Sequence, residues 1–267
     1  MSLVERSSAC WPLVLIFAAC STAAPRIATS PFSPAGSYAA AEPARPGLGT
    51  SWGETLDAPV SFTAFERASG DPWAEVAFHY NDATGVTEHA RYLDTPLTPL
   101  ELDAGDGALS VAVVDDSGRT LPGFTAAGRT LLLGEDGARY RIVVHNRTPA
   151  RFEIVASVDG LDVIDGQPAD PSRRGYLIKP RGTITIDGFR TSDREVAAFR
   201  FGRVAESYAA QTSGDRNVGV IGVAIFAERG TERAPAPRDR NPWSPDELDR
   251  RDSADPFPAR GYAAPPR

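Results

Sequence analysis

Nine uncharged residues at positions 218–226 constrain the fold of this chain more than any other segment. They read Val-Gly-Val-Ile-Gly-Val-Ala-Ile-Phe. An apolar run of this length, rich in β-branched residues, predicts a central β-strand. Gly219 and Gly222 within it indicate a bulge or the close approach of another backbone. A central strand needs a neighbour on each side, so the surrounding chain must supply a sheet.

The stretch 138–230, which ends with this run, alternates apolar segments with turn residues. Further strands are predicted in it at 139–145, 151–158, 161–164, 175–178, 183–186 and 196–201. Asp159 and Gly160 predict a tight hairpin turn, because Gly accepts a positive φ at little cost. Phe199 and Phe201 should share one face of their strand, while Arg200 points the other way.

Residues 51–137 carry weaker strand signals. Strands are predicted there at 60–65, 75–80, 86–92, 109–114 and 130–133, with a hairpin turn at 81–85. Helix-period runs are short, and the best helical prediction is one turn near Ser192, capped with Glu195. The chain is therefore predicted to be an all-β, antiparallel β-sandwich. The N-terminal part (51–137) and the C-terminal sandwich part (138–230) make one large unit or two small ones.

Residues 1–19 predict a secretory signal peptide, because their apolar core is too short for a membrane span. Ala18 and Ala19 stand directly before Cys20 and resemble the lipobox of bacterial lipoproteins. That resemblance implies that Cys20 is lipidated and held in a membrane by acyl chains. Ser21, where Asp would signal retention, implies the outer membrane. The alternative is an ordinary signal peptide, cleaved near residues 23–24.

Two segments flank the sandwich. Residues 20–50, rich in Ala, Pro and Ser, predict a disordered tether, and residues 231–267, rich in Pro and Arg, predict a disordered tail. The tail is either solvated or a partner-binding segment anchored at 241–248. Cys10 lies in the predicted signal peptide and Cys20 would carry lipid. The mature protein would then hold no thiol for a disulfide, a nucleophile or a metal.

Charge and motifs narrow the function classes. The formal net charge is −7, and Lys179 is the single lysine among the basic residues, so a nucleic-acid partner is not expected. Catalytic serine and phosphate-loop motifs are absent, and no cofactor is predicted. One enzymatic alternative stays open, a periplasmic or surface enzyme that cleaves envelope polysaccharide through paired carboxylates.

Metal binding has two weak candidates in the sequence. If 81–85 made a simple hairpin, His79 and His89 would lie diagonally on one face, within reach of one ion. Asp residues also recur every third position from Asp159 to Asp165, and others crowd 103–116. Turn formation explains these aspartates better than calcium does, because neither cluster has the spacing of an EF-hand loop.

The most suggestive polar feature combines arginine with aromatic residues on predicted loops. Its members are Arg190, Arg200, Arg216 and Tyr208. Guanidinium groups pair with carboxylates and stack on rings, which suits recognition of a protein or a glycan. Alternatively, Arg190 and Arg200 clamp loops by bonding backbone carbonyls. We therefore expect a lipid-anchored envelope protein that acts as a non-catalytic binding or structural module.

Overall fold

The computed structural model describes residues 45–231, apart from 93 and 127. These residues belong to one compact unit. In chain order the elements are β1 (Leu48–Asp57), β2 (Ala74–Asn81), α1 (Ala83–Tyr92), β3 (Thr98–Pro99), β4 (Glu101–Ala104), β5 (Leu109–Asp115), β6 (Pro122–Ala126), β7 (Arg129–Leu133), β8 (Arg139–Asn146), β9 (Phe152–Val158), β10 (Leu161–Asp162), β11 (Tyr176–Ile178), β12 (Thr183–Ile186), β13 (Gly188–Arg190), β14 (Glu195–Arg203), a 3-10 turn (Val204–Glu206), α2 (Tyr208–Thr212) and β15 (Val220–Ala227).

The strands form two sheets. One has seven strands in the order β1-β14-β8-β5-β4, with β12 also paired to β8 and β13 to β14. The other has eight strands in the order β10-β9-β15-β2-β7-β6-β3, with β11 also paired to β9. Within the described chain β2 and β7 run parallel, and the remaining ladders are antiparallel. The predicted all-β sandwich is confirmed.

Residues 220–226 of the uncharged run lie in β15 (Val220–Ala227), a central strand between β9 and β2. Gly222 stands opposite Ser157 on β9, and a Cβ added at Gly222 would lie 2.7 Å from the Ser157 hydroxyl. Ile221 and Ile225 are buried in the core between the sheets. The close approach at Gly222 therefore involves the Ser157 side chain and not the predicted neighbouring backbone.

Strands from the two parts of the chain interleave. β1 pairs with β14, and β2 pairs with β15, so each sheet contains strands from both 51–137 and 138–230. One apolar cluster joins the sheets and includes fully buried aromatic rings from both of them. The largest buried side chains include Tyr140, Phe78, Phe152, Phe189, Phe199 and Phe201. Phe199 and Phe201 share this buried face, as the alternation predicts.

The strand predicted at 60–65 is wrong. This segment follows β1 without forming a strand, and Phe62 is 69% exposed. The reason is that β14, the strand paired with β1, begins at the hairpin turn around Asp193 that joins it to β13. The N–H of Val60 donates to the Asp193 carbonyl at 2.9 Å within that turn. Beyond this point the structure describes no strand with which the backbone of this segment pairs.

The strand predicted at 86–92 is also wrong, because residues 83–92 form α1. The Asp82 carboxylate accepts the N–H of Gly85 at 2.8 Å and so caps the start of the helix. Val86 and Ala90, one turn apart, pack with Phe124. The Asp that predicted a hairpin turn is therefore a helix-capping residue.

The helical turn predicted at Ser192 is replaced by the turn between β13 and β14. The Ser192 hydroxyl does accept the N–H of Glu195 at 3.1 Å, but the chain enters β14 there. A capped helix starts instead at Ser207, whose hydroxyl accepts the N–H of Ala210 at 3.2 Å. Among the helices that the structure describes, none has the length and apolar character to cross a bilayer.

Three predicted segments lie largely outside the described residues. Cys20, the signal peptide predicted at 1–19 and the tail from 232 onward are not described, and the tether predicted at 20–50 is described from Arg45. The strand β1 begins at Leu48, so the last residues assigned to the tether are buried members of the sandwich.

Candidate functional site

The four residues predicted to form a recognition face occupy different elements. Arg190 ends β13, Arg200 lies in β14, Tyr208 begins α2, and Arg216 is exposed in the loop between α2 and β15. Contacts of the first three converge on β1 and the residue that follows it. Arg216 does not take part in these contacts.

Arg200 braces β1 from the outer face of the seven-stranded sheet. Its Nε donates to Glu54 Oε2 at 2.8 Å, and its Nη1 donates to the Gly137 carbonyl at 2.7 Å. Arg139 on β8 adds a second contact to Glu54, at 3.2 Å. The Arg200 guanidinium is the main cause that lowers the pKa of the Glu54 carboxyl. Glu54 is therefore held as an anion by two arginines.

Arg190 braces the chain just beyond β1. Its Nη1 donates to the carbonyls of Ala58 and Ser192, at 3.0 Å in each case. Its Nε donates to the Tyr176 hydroxyl of β11 at 3.1 Å, which links the two sheets. Arg190 and Arg200 thus both bond backbone carbonyls, in the manner of the loop-clamping alternative.

Tyr208 belongs to an aromatic cluster at the side of the sandwich. The ring centroid of Trp52, on β1, lies 4.8 Å from that of Tyr208 and 6.2 Å from that of Phe189. Phe189 is buried, whereas Trp52 is 49% exposed. Two neighbouring rings therefore hold a large apolar side chain in place while half of its surface faces solvent.

β1 ends the strand order of its sheet, so among the strands that the structure describes none pairs with the other side of its backbone. In its first half that side is bonded within the molecule. The N–H of Leu48 donates to Asn81 Oδ1 at 3.3 Å, and the N–H of Thr50 donates to Asp159 Oδ2 at 2.7 Å. Leu48, Gly49 and Thr50 are all buried. The second half, Trp52 to Asp57, is half-buried or exposed.

Asp159 is the centre of a buried polar network that joins the sheets. With φ of 55° and 79°, Asp159 and Gly160 form the predicted hairpin turn between β9 and β10. The carboxylate of Asp159 accepts the N–H of Gly219 at 2.8 Å, in addition to the N–H of Thr50 and the hydroxyl of Tyr80. Three donors from different parts of the chain thus meet on one carboxyl.

Two tyrosine hydroxyls and one threonine hydroxyl complete the network. Thr50 Oγ1 lies 2.8 Å from the Tyr80 hydroxyl and 2.6 Å from the Tyr140 hydroxyl. Burial raises the pKa of the Asp159 carboxyl, although hydrogen bonds led by that from Tyr80 oppose the rise. Burial also raises the pKa values of Tyr80 and Tyr140 well above their ordinary range. The network is interior, and both oxygens of its carboxyl accept hydrogen bonds.

A concave surface lies on the outer face of the eight-stranded sheet. It is a groove of about 300 Å³, with small side chains on its floor and the 169–171 loop on one wall. The lining residues include Glu75, Ala77, Ser157, Asp170, Gly222 and Ala224. Arg67 supports the wall by donating to the Pro171 carbonyl at 2.8 Å while its guanidinium lies 3.6 Å from the Phe226 ring centroid. Glu75 and Asp170 are the acidic groups of this groove.

The proposed pairing of His79 with His89 is wrong, because its hairpin does not exist. His79 lies on β2, whereas His89 lies on α1 and stacks on Phe124 with ring centroids 6.1 Å apart. Within residues 45–231, as far as described, no cluster of three or more His, Cys, Asp or Glu side chains could hold a metal ion.

Other recurrent aspartates act in turns, as the sequence predicts, whereas the carboxylate of Asp159 accepts donors distant in sequence. Asp162 Oδ1 accepts the N–H of Ile164 at 2.8 Å. Asp115 Oδ1 accepts the N–H of Ser117 at 2.8 Å, and hydrogen bonds led by the Ser117 hydroxyl lower the pKa of this carboxyl to about 2. These carboxylates satisfy nearby backbone donors instead of converging on a common point.

Two features of the candidate site were not predicted from the sequence. The exposed ring of Trp52 and the edge position of β1 follow from the pairing order of distant strands, which the residue pattern does not encode. A signal was present in Trp52 itself, an isolated large aromatic residue between Ser51 and Gly53.

Protein-family models, curated proteins and solved structures were all compared with the chain, and none matches it.

Proposed function

We propose that this protein is a non-catalytic binding module of the bacterial envelope, and that its contact surface is the second half of β1. The observation that carries the proposal is Trp52, which is half exposed although two aromatic rings fix its position. An apolar ring kept at the surface beside an edge strand is typical of a binding surface. Arg190 and Arg200 support this surface by bracing β1.

The positions of the titratable groups support binding over polysaccharide cleavage. A glycosidase needs two carboxyls facing one cleft, one of them with a raised pKa. Burial raises the pKa values of Asp159 and Asp162, but both lie inside the sandwich and accept backbone N–H groups. In the groove, the hydrogen bond from the Ser172 N–H lowers the pKa of Asp170.

We further propose that the module is anchored to the outer membrane through a lipid on Cys20. The support is the resemblance of residues 18–20 to a lipobox. Growth with an inhibitor of signal peptidase II should make a longer precursor accumulate, and Cys20→Ser should abolish labelling by a radioactive fatty acid. If the chain is processed normally under the inhibitor, the lipid anchor is wrong and ordinary signal cleavage replaces it.

Site-specific photo-crosslinking in living cells tests the binding surface. A benzoylphenylalanine at Thr55 should give a discrete adduct, because this exposed residue lies on the edge strand. The matched control is the same group at Thr185, which is exposed on β12 in the same sheet. Equal adducts from both positions, or an adduct from Thr185 alone, would contradict the proposed surface.

A further inference from the structure

We infer that the second half of β1 accepts an extended peptide as an additional β-strand, and that this peptide carries an apolar and a basic side chain four residues apart. The inference rests on the proposed function and names the partner of the same surface. It follows from three properties of the segment from Trp52 to Asp57: free backbone groups, a shared face and an uncompensated negative charge.

The free backbone groups follow from the ladder between β1 and β14. Thr50 stands opposite Phe201, and Trp52 stands opposite Phe199. The N–H groups of both phenylalanines donate to carbonyls on the side away from β1. These are therefore non-hydrogen-bonded pairs, in which the backbone groups of the β1 residue also point away from β14. Thr50 uses its outward N–H on Asp159, whereas the same side of Trp52 faces the open edge.

The same alternation holds beyond the irregularity that separates Trp52 from Thr55. The N–H of Ala58 donates to the Arg194 carbonyl at 2.7 Å, and so points towards the β14 side. The direction of the backbone groups reverses at each residue along a strand. Because those of Ala58 point towards β14, the N–H and C=O groups of Thr55 and Asp57 must point outward. A row of such groups on an edge strand is the template for strand addition.

Three side chains of this segment, those of Trp52, Thr55 and Asp57, share one face of β1. Trp52, Thr55 and Asp57 stand opposite Phe199, Ala197 and Glu195, which are alternate residues of β14. The irregularity in β1 absorbs one residue, so the three positions are spaced as i, i+2 and i+4 in a regular strand. An added strand would therefore place its own alternate side chains beside Trp52, Thr55 and Asp57 in turn.

The end of the segment is acidic. Asp57 stands directly opposite Glu195, and both residues are exposed. Like charges in that arrangement destabilise a strand pair, and neither carboxylate forms a salt bridge within the described residues. A basic side chain would relieve this repulsion, while an apolar side chain four residues away would cover the Trp52 ring.

A second copy of the chain fits this surface less well. If two β1 edges paired antiparallel about a twofold axis, Trp52 of each copy would approach Asp57 of the other. The acidic pair of Asp57 and Glu195 would then gain an aromatic ring but no cation. Charge complementarity therefore favours a basic peptide over self-association.

Fluorescence anisotropy with two labelled heptapeptides tests the inference on the full chain in detergent. The probes are Thr-Leu-Thr-Val-Thr-Arg-Thr and its reversed sequence, because the direction of strand addition is not specified by the edge. One order should bind, and replacing its Arg by Glu should weaken binding about tenfold. N-methylation of alternate amides in the better probe should abolish binding, because it removes donors of the new ladder.

Protein variants complete the test. Thr55→Pro should abolish binding because it removes an outward N–H, whereas Thr55→Val keeps that N–H and should bind the probe much more tightly than Thr55→Pro does. If neither order binds, if the N-methylated probe binds equally, or if the protein self-associates through β1, the inference is wrong. An adduct from position 55 in cells, together with failure of both probes, would leave the binding module standing and remove only the peptide.

Discussion

The two halves of β1 differ in how the backbone side that faces away from β14 is satisfied. Both present one side of their backbone away from β14. From Leu48 to Thr50 that side is buried and bonded to the side chains of Asn81 and Asp159. From Trp52 to Asp57 it is open, and the side chains alongside are half-buried or exposed. We call the buried, hydrogen-bonded residues 48–50 with Asn81 and Asp159 the lock. Residues 52–57, directly after it in the same strand, are the candidate binding edge.

The difference shows how an edge strand can be both stable and available. The buried polar network fixes the start of β1 between the sheets, so the open part needs no strand besides β14 to hold its position. Arg200 on Glu54 and Arg190 on Ala58 fix the other end from the side of β14. Substitutions in the lock should change stability, whereas substitutions on the open edge should change binding alone.

The largest effect is expected from Asp159→Ala. This change leaves the buried N–H of Thr50, the N–H of Gly219 and the Tyr80 hydroxyl without their shared acceptor. We expect the free energy of unfolding to fall by about 3–5 kcal/mol, measured by urea denaturation. The matched control is Asp106→Ala, since Asp106 has a similar φ of 52° but is exposed. Equal losses from both variants would show that backbone strain, and not the network, is responsible.

A smaller loss of stability is expected from Arg190→Ala. The variant removes hydrogen bonds to the carbonyls of Ala58 and Ser192 and to the Tyr176 hydroxyl. These groups are partly solvated, so the free energy of unfolding should fall by about 1–2 kcal/mol. Arg216→Ala, at an exposed position, is the control and should leave the free energy of unfolding unchanged. An unchanged melting temperature for Arg190→Ala would contradict the bracing role.

The effect of pH on the lock should be smaller again. Burial raises the native pKa of Asp159 above its unfolded value, about 4. A raised native pKa gives a contribution that is complete below pH 4 and is lost as pH rises through the native value. The free energy of unfolding of the wild type minus that of Asp159→Asn should therefore fall as pH rises from the unfolded pKa through the native pKa, and then level off. Urea unfolding at several pH values measures this difference. A difference that is independent of pH would contradict the shift.

The smallest effect on stability is expected from Thr55→Pro. Proline suits an edge position whose N–H points to solvent, and the N–H of Thr55 points away from β14. The free energy of unfolding should change by less than about 0.5 kcal/mol, measured by thermal or urea unfolding. A loss comparable with that of Asp159→Ala would mean that the outward side of Thr55 is bonded within the molecule.

Much of the sandwich follows from local patterns in the sequence. The uncharged run at 218–226 became the central strand β15, and Asp159 with Gly160 became a hairpin turn, because burial and turn conformation depend on neighbouring residues. The strand predicted at 86–92 failed for a related reason. An Asp such as Asp82 serves equally well in a turn or as a helix cap, and the choice depends on packing against Phe124.

The candidate site was less predictable. Arg190 and Arg200 were identified as notable residues, but their partners Ala58, Glu54 and Gly137 are distant in sequence. Which strand lies at an edge depends on the order of strands across the sheet. No residue pattern within β1 specifies that order. The candidate binding edge is therefore recognised only from the assembled sheet.

Amide hydrogen exchange in the free protein, followed by NMR, tests the contrast within β1 most directly. The N–H of Thr50 should exchange slowly because it is buried and bonded to Asp159, and those of Thr55 and Asp57 should exchange as fast as solvent-exposed amides. Addition of the binding heptapeptide should slow Thr55 and Asp57 while leaving Thr50 unchanged. If Thr55 and Asp57 are already protected in the free protein, the edge is not open and the account of β1 is wrong.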